Sequence, residues 1–137
     1  PQHNCEEFDV LLLVDPSRRW YCDEHADNSQ FRSDLLSVCS RYSRVGIVGS
    51  SFGGFCSLSC ADLADAVLAF GPQIELEHAL YRPGFTLEAL RQASHRMRSA
   101  VAHRRGSVEC HTSMDPHLAQ SQLFRQAADV FPVNEPQ

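Results

Sequence analysis

Lysine is absent from the 137-residue sequence, and all 12 basic residues are arginines. A Walker-type phosphate loop needs a lysine after its glycines, and Schiff-base chemistry needs a lysine amine. Neither chemistry can operate with this sequence alone. The 17 acidic residues outnumber the basic ones and give a net charge of −5. This balance argues against nucleic acid as a partner, because nucleic-acid surfaces need basic patches.

Long apolar runs and C-x-x-C pairs are also lacking. The apolar run at residues 10–14 is far shorter than the ~20 residues of a membrane-spanning helix, so no membrane span is expected. The 6 cysteines are interpreted as small buried hydrophobes in a reduced, cytoplasmic compartment. No cofactor and no metal are expected.

The length predicts a single domain over residues 1–137, since domains average about 150 residues. Four short apolar segments predict strands: residues 8–14, 45–48, 66–70 and 107–110. Helical patterns separate them. Thr86 is expected to cap the long helix before the fourth strand, and a last helix is expected to open at Asp115. This alternation predicts an α/β fold, a parallel sheet with helices on both faces. Functional residues are then expected at the carboxyl ends of the strands.

The most informative motif is the sequence Gly49-Ser50-Ser51-Phe52-Gly53 between a predicted strand and a predicted helix. G-x-S-x-G in this context is typical of a nucleophile elbow, where the flanking glycines allow a sharp turn that presents the serine. Ser51 would be the nucleophile, and the Phe52 N–H would stabilise the oxyanion. A plain turn and a phosphate cradle remain alternatives, although the glycine spacing does not match G-x-G-x-x-G.

The segments V-G-I-V-G-S-S-F-G-G-F-C-S-L (residues 45–58) and A-V-L-A-F-G-P-Q (residues 66–73) resemble the central part of α/β-hydrolase-fold proteins. The capsule-polysaccharide type of hydrolase-like protein looks closest. The resemblance implies a serine hydrolase that acts on an ester or related acyl bond of a small-molecule substrate. It also implies a partial domain, truncated at both ends. Residues 73–85 stand where this fold often inserts a lid.

The acid and the base of a catalytic triad are less clear from the sequence. The family order of serine, acid and histidine points to Asp115 as the acid, but Asp115 before Pro116 also fits a helix N-cap. His117 follows Asp115 too closely to match the family base. The base is therefore expected beyond residue 137.

Other interpretations remain open. The absent base favours a catalytically inactive hydrolase-like binding module, and a nucleotide-binding domain is a third possibility. Cys110, His111, Asp115 and His117 form a weak metal-like cluster without a recognised zinc spacing. The oligomeric state is not readable from the sequence.

Overall fold

The computed structural model describes residues 8–79 and 81–112. Strands and helices alternate in this part of the chain, with short 3-10 turns at Ala61–Leu63 and Leu76–His78. In chain order the elements are α1 (Ser29–Cys39), β1 (Gly46–Ser50), α2 (Phe52–Ser59), β2 (Ala66–Phe70), α3 (Leu87–Ala102) and β3 (Ser107–His111). The strands predicted at residues 45–48, 66–70 and 107–110 are confirmed. The helix expected from Asp115 lies outside the described residues.

The three strands form one parallel sheet in the spatial order β1-β2-β3. The mixed α/β class predicted from the alternation is therefore confirmed. At the carboxyl end of the sheet, Ser50 pairs with Phe70, and Phe70 pairs with His111. The ends of all three strands thus lie level at one edge, beside the turn that leads into α2.

The hydrophobic core lies between one face of the sheet and the helices. Val67 and Ala69 of β2 belong to the same buried cluster as Phe55 of α2 and Met97 of α3. Because side chains alternate along a strand, the remaining strand residues point to the opposite face. Val48 on that face is 69% exposed, so the helices of the described ranges leave this face open.

The expectation of helices on both faces is not met within residues 8–79 and 81–112. Alpha-helices α2 and α3 share the core face, and Leu35 of α1 packs against Cys56 and Cys60 of α2 on the same side. The strand order explains this arrangement. Parallel crossovers are right-handed in almost all proteins, so strands added in one direction place their connecting helices on one face.

Residues 8–14 do not join the sheet, and the prediction of a first strand there is wrong. The large apolar side chains of this segment are 40–83% exposed. The Tyr42 hydroxyl donates to the Asp9 carboxylate at 2.7 Å, and the Tyr21 hydroxyl donates to the Leu13 carbonyl at 3.1 Å. A cavity of about 410 Å³ between the segment and β1 separates the two backbones. The apolar run therefore lies beside the edge of the sheet without pairing to it.

The helices of the described ranges are short, and none of them is both long and apolar enough to cross a membrane. The longest, α3, has 16 residues. Its N-cap is Thr86, as the sequence predicts, and the Thr86 hydroxyl accepts a hydrogen bond from the Ala89 N–H at 3.1 Å. This bond satisfies one of the N–H groups that a helix start leaves without a partner.

Cys56 and Cys60 are buried, as the sequence predicts, whereas Cys22, Cys39 and Cys110 are half-buried. All 5 cysteines in the described ranges are free thiols. Cys56 and Cys60 lie one turn apart on α2 and are buried beside Leu35. A hydrogen bond to Cys60, and then burial, raise the pKa of the Cys56 thiol. A neutral, buried thiol supports a packing role for Cys56, since the thiolate is the reactive form.

Asp65 joins the amino-terminal ends of the strands, at the edge opposite Ser51. One carboxylate oxygen accepts the Val45 N–H at 2.8 Å, and the other accepts from the Arg105 guanidinium at 2.9 Å. The Asp65 carbonyl also accepts the Ser107 N–H at 3.2 Å. Hydrogen bonds from Arg105 and then from Val45 lower the pKa of Asp65. The ionised carboxylate therefore stabilises the folded state.

Because the pKa of Asp65 is lower in the folded state than in the unfolded state, its stabilisation is present above the unfolded-state pKa and is lost as the pH falls through the folded-state pKa. Asp65→Asn should lower the free energy of unfolding at pH 7 and should reduce the loss of stability between pH 5 and pH 3. Urea denaturation across that range measures both effects. Asp34→Asn, an exposed position on α1, is the control. Equal acid sensitivity of Asp65→Asn and the unsubstituted chain would contradict the assignment.

Candidate active site

Ser51 occupies the sharp turn between β1 and α2. Its backbone has φ 54° and ψ −111°, a conformation that costs residues other than glycine on the order of 1–3 kcal/mol. Two hydrogen bonds hold the turn: the Ser51 N–H donates to the Phe70 carbonyl at 2.9 Å, and the Phe55 N–H donates to the Ser51 carbonyl at 3.1 Å. The structure thus places a strained serine between a parallel strand and a helix, the context that the G-x-S-x-G pattern requires.

Gly49 is required by the close approach of β1 to α2. A Cβ atom at this position would overlap the Gly53 carbonyl oxygen and the Ser57 hydroxyl. These two groups are themselves joined, because the Ser57 hydroxyl donates to the Gly53 carbonyl at 2.7 Å. The first glycine of the motif therefore lets the helix start directly against the strand.

Gly53 differs from the sequence-based expectation. A Cβ atom at position 53 would have no heavy atom within 4 Å outside its own helix and its chain neighbours. No close contact therefore requires glycine at this position. The crowded position is Gly54, where an added Cβ atom would lie 3.0 Å from the Cα and Cβ atoms of Pro72. The sequence does not show which of the two adjacent glycines is crowded, because that depends on where the segment after β2 passes.

Phe52 is the first residue of α2. The first N–H groups of a helix have no partner within the helix, and the helix dipole favours negative charge at this end. The Phe52 N–H therefore has the position expected of an oxyanion donor beside Ser51. Its assignment to that role remains a prediction.

An aromatic cluster packs around the Phe52 side chain. The Phe52 ring centroid lies 5.2 Å from that of Trp20 and 6.1 Å from that of Tyr81. Trp20 is fully buried, and its indole N–H donates to the Gln73 side chain at 2.7 Å. Trp20 is thus a core anchor, and residues from the predicted lid segment 73–85 help to wall the region next to Ser51.

Arg18 and Arg19 lie in the loop that follows residues 8–14. The Arg19 guanidinium lies over the Phe85 ring at 5.7 Å from its centroid, a cation–π arrangement. The Arg19 N–H donates to the Asp15 carboxylate at 2.7 Å. These contacts give Arg19 a structural role in the loop after residues 8–14.

A wide depression of about 470 Å³ opens at the carboxyl edge of the sheet. It is lined by Ser50, Ser51, Phe70, Gly71, His111 and Thr112. His111 is the last residue of β3, and its ring stacks on Phe70 with the centroids 5.2 Å apart. His111 directly follows the predicted strand at residues 107–110, and the sequence analysis expects functional residues at such strand ends.

The structure leaves the rest of a catalytic triad unassigned. Within residues 8–79 and 81–112, the Ser51 hydroxyl makes no hydrogen bond to a histidine or a carboxylate. Asp115 and His117 lie outside the described residues. In the same ranges no three His, Cys, Asp or Glu side chains are grouped so as to hold a metal ion. Catalytic hydrogen bonds are often long without substrate, so the geometry permits a base that approaches on binding.

Backbone strain at Ser51 can be tested separately from chemistry. Glycine adopts this backbone conformation without strain, which favours the folded state of Ser51→Gly. The greater freedom of glycine in the unfolded chain offsets part of this gain, so the free energy of unfolding should rise by about 1 kcal/mol. Ser33→Gly, at an exposed position of α1, should lower it by roughly 0.5 kcal/mol through helix propensity. Urea denaturation of both variants is the measurement. A similar loss in both would show that the turn is unstrained.

The fold and the site together define a class: a mixed α/β protein with a short parallel sheet and a serine on a strained strand-to-helix turn. The sequence matches no protein-family model, no curated protein and no solved structure.

Proposed function

We propose that this protein is an α/β-hydrolase-like serine hydrolase that cleaves an ester or a related acyl bond through Ser51. The observation that carries the proposal is the backbone of Ser51, with φ 54° and ψ −111° between β1 and α2. Strained backbone conformations cluster at active sites, and this one lies between a strand and a helix, as a nucleophile elbow requires. A turn with no chemical role would not need a strained serine, because a glycine at position 51 would adopt the same conformation without strain.

The proposed first step is attack of the Ser51 hydroxyl oxygen on the substrate carbonyl carbon. A histidine base takes the serine proton, and the Phe52 N–H donates to the oxyanion that forms. Collapse of the tetrahedral intermediate expels the alcohol, which receives the proton from the histidine. Water then hydrolyses the acyl-enzyme by the same route. Asp115 as the acid remains a prediction from the sequence.

The surroundings of Ser51 favour an apolar acyl group. Phe52 packs against the buried Trp20 and the half-exposed Tyr81, so an aromatic wall begins one residue after the nucleophile. Small-molecule sites are lined predominantly by hydrophobic and aromatic side chains. We therefore expect short aromatic or aliphatic esters to react faster than charged ones.

The test is covalent labelling by a fluorophosphonate, which reacts with activated serines, followed by mass mapping of the labelled peptide. Label on Ser51, absent from Ser51→Ala, is the expected result. The alternative is a catalytically inactive binding module with the same fold. It is favoured by the absence of a base hydrogen-bonded to Ser51 in the described ranges. A folded chain that does not react would establish the alternative over the hydrolase.

A further inference from the structure

His111 shares the depression at the carboxyl edge of the sheet with Ser51. In the register of the sheet, Ser50 and His111 flank Phe70 on either side. Two inter-strand spacings place their Cα atoms about 10 Å apart. Ser50, Phe70 and His111 are all exposed and occupy equivalent positions in their strands. The histidine and the start of the Ser51 turn therefore lie on the same side of the sheet edge.

Three contacts fix His111. Its ring stacks on the Phe70 ring at an interplanar angle of 29°. Its Nε2 atom lies 3.6 Å from a carboxylate oxygen of Glu109, two residues earlier on the same face of β3. Its carbonyl accepts the Gly71 N–H at 2.7 Å. The Glu109 carboxylate thus lies on the Nε2 side of the ring, and the proposed base is the other ring nitrogen, Nδ1.

We propose that His111 is the general base of Ser51, with Glu109 as its positioning residue. The proposal rests on the proposed hydrolase function and names the base that the sequence does not identify. His111 Nδ1 accepts the Ser51 hydroxyl proton as the oxygen bonds to the substrate carbonyl carbon. The same proton passes to the departing alcohol when the ester C–O bond breaks. Ser51 and His111 line the same depression, so rotation of the ring off Phe70 would carry it toward the hydroxyl, and catalytic hydrogen bonds often tighten only when substrate binds.

The decisive measurement is the rate of fluorophosphonate labelling in the 137-residue chain. His111→Ala should slow labelling at least about 100-fold, the lower range for loss of a general base. Added imidazole should restore part of the rate, which a purely structural role of His111 would not allow. His95→Ala, an exposed histidine on α3, is the matched control and should label as the unsubstituted chain does. Thermal melting confirms that each variant is folded.

Each outcome separates this proposal from the one on which it rests. Normal labelling of folded His111→Ala, with loss in Ser51→Ala, would overturn the role of His111 and leave the hydrolase function standing. No labelling of the unsubstituted chain would overturn both. If His111→Ala does not fold, His111→Gln provides a larger polar side chain that has no basic nitrogen, and slow labelling is again expected, with imidazole rescue if the Gln side chain leaves room for imidazole. Normal labelling of His111→Gln would equally overturn the proposal.

Glu109 needs a separate readout, because a positioning residue acts through His111. Glu109→Gln should lower the maximal labelling rate severalfold and should leave the half-saturating probe concentration unchanged. The effect is modest since the Glu109 side chain is 63% exposed, and exposed ion pairs contribute little. An unchanged maximal rate would remove Glu109 from the proposal.

Discussion

Replacing Ser51 by alanine is expected to abolish fluorophosphonate labelling and to lower ester hydrolysis by a factor on the order of 10⁴ or more. The reason is chemical, because alanine has no oxygen to form the acyl-enzyme. The backbone conformation should persist, since its two hydrogen bonds use main-chain atoms of Ser51, Phe55 and Phe70. Stability should therefore change little, and the free energy of unfolding of Ser51→Ala should be close to that of the unsubstituted chain.

Ser33→Ala provides the control, because Ser33 is exposed on α1 and alanine favours a helix. It should label and hydrolyse esters at unchanged rates. Steady-state hydrolysis of a series of aryl esters measures the effect on turnover, and the labelling experiment reports the serine itself. Hydrolysis that survives in Ser51→Ala would mean that another residue carries the activity.

Replacing Gly49 by alanine is expected to destabilise the protein by about 1–3 kcal/mol, the usual cost of overpacking. The added Cβ would overlap the Gly53 carbonyl oxygen and the Ser57 hydroxyl. Relief requires α2 to move away from β1, which would also move the Phe52 N–H from Ser51. Gly49→Ala should therefore lose labelling as well as stability.

Gly53→Ala is the matched control in the same motif. Open space surrounds the position, and alanine is preferred to glycine in a helix by roughly 0.5–1 kcal/mol. This variant should be as stable as the unsubstituted chain or slightly more stable. Urea denaturation compares the two variants under identical conditions. Equal losses for Gly49→Ala and Gly53→Ala would show that the contacts at Gly49 do not define the turn.

Much of the local structure could be predicted from the sequence. The short apolar runs at residues 66–70 and 107–110 became β2 and β3, and Thr86 caps α3. These features depend on neighbouring residues: strand propensity, turn residues and a hydroxyl near a helix start. The position of Ser51 between strand and helix was predictable for the same reason.

Residues 8–14 show where pattern fails. The run is as apolar as a buried strand, yet it lies beside β1 without joining the sheet. The hydroxyls of Tyr21 and Tyr42 donate hydrogen bonds to it. Hydrophobicity indicates a tendency to be buried and does not name a partner. Pairing depends on whether the backbone comes within one strand spacing of an edge, which is a property of the assembled fold.

The two glycines of the motif, Gly49 and Gly53, also differ in a way that only the assembled fold decides. The sequence gives equal reason for Gly49 and Gly53 to be small, whereas the structure crowds Gly49 and leaves Gly53 open. Gly54, which the motif does not mention, approaches Pro72. The difference arises because the contacts come from Ser57 one helical turn on and from the segment after β2.

The sequence by itself determined the α/β class, the order of most elements and the strand-to-helix turn at Ser51, because each follows from residues close in the chain. Tertiary structure decided which face of the sheet the helices cover, which edge residues 8–14 approach, and that His111 lies near Ser51. These depend on strand order and register. The contacts that set them join residues tens of positions apart, and no local pattern specifies such pairings.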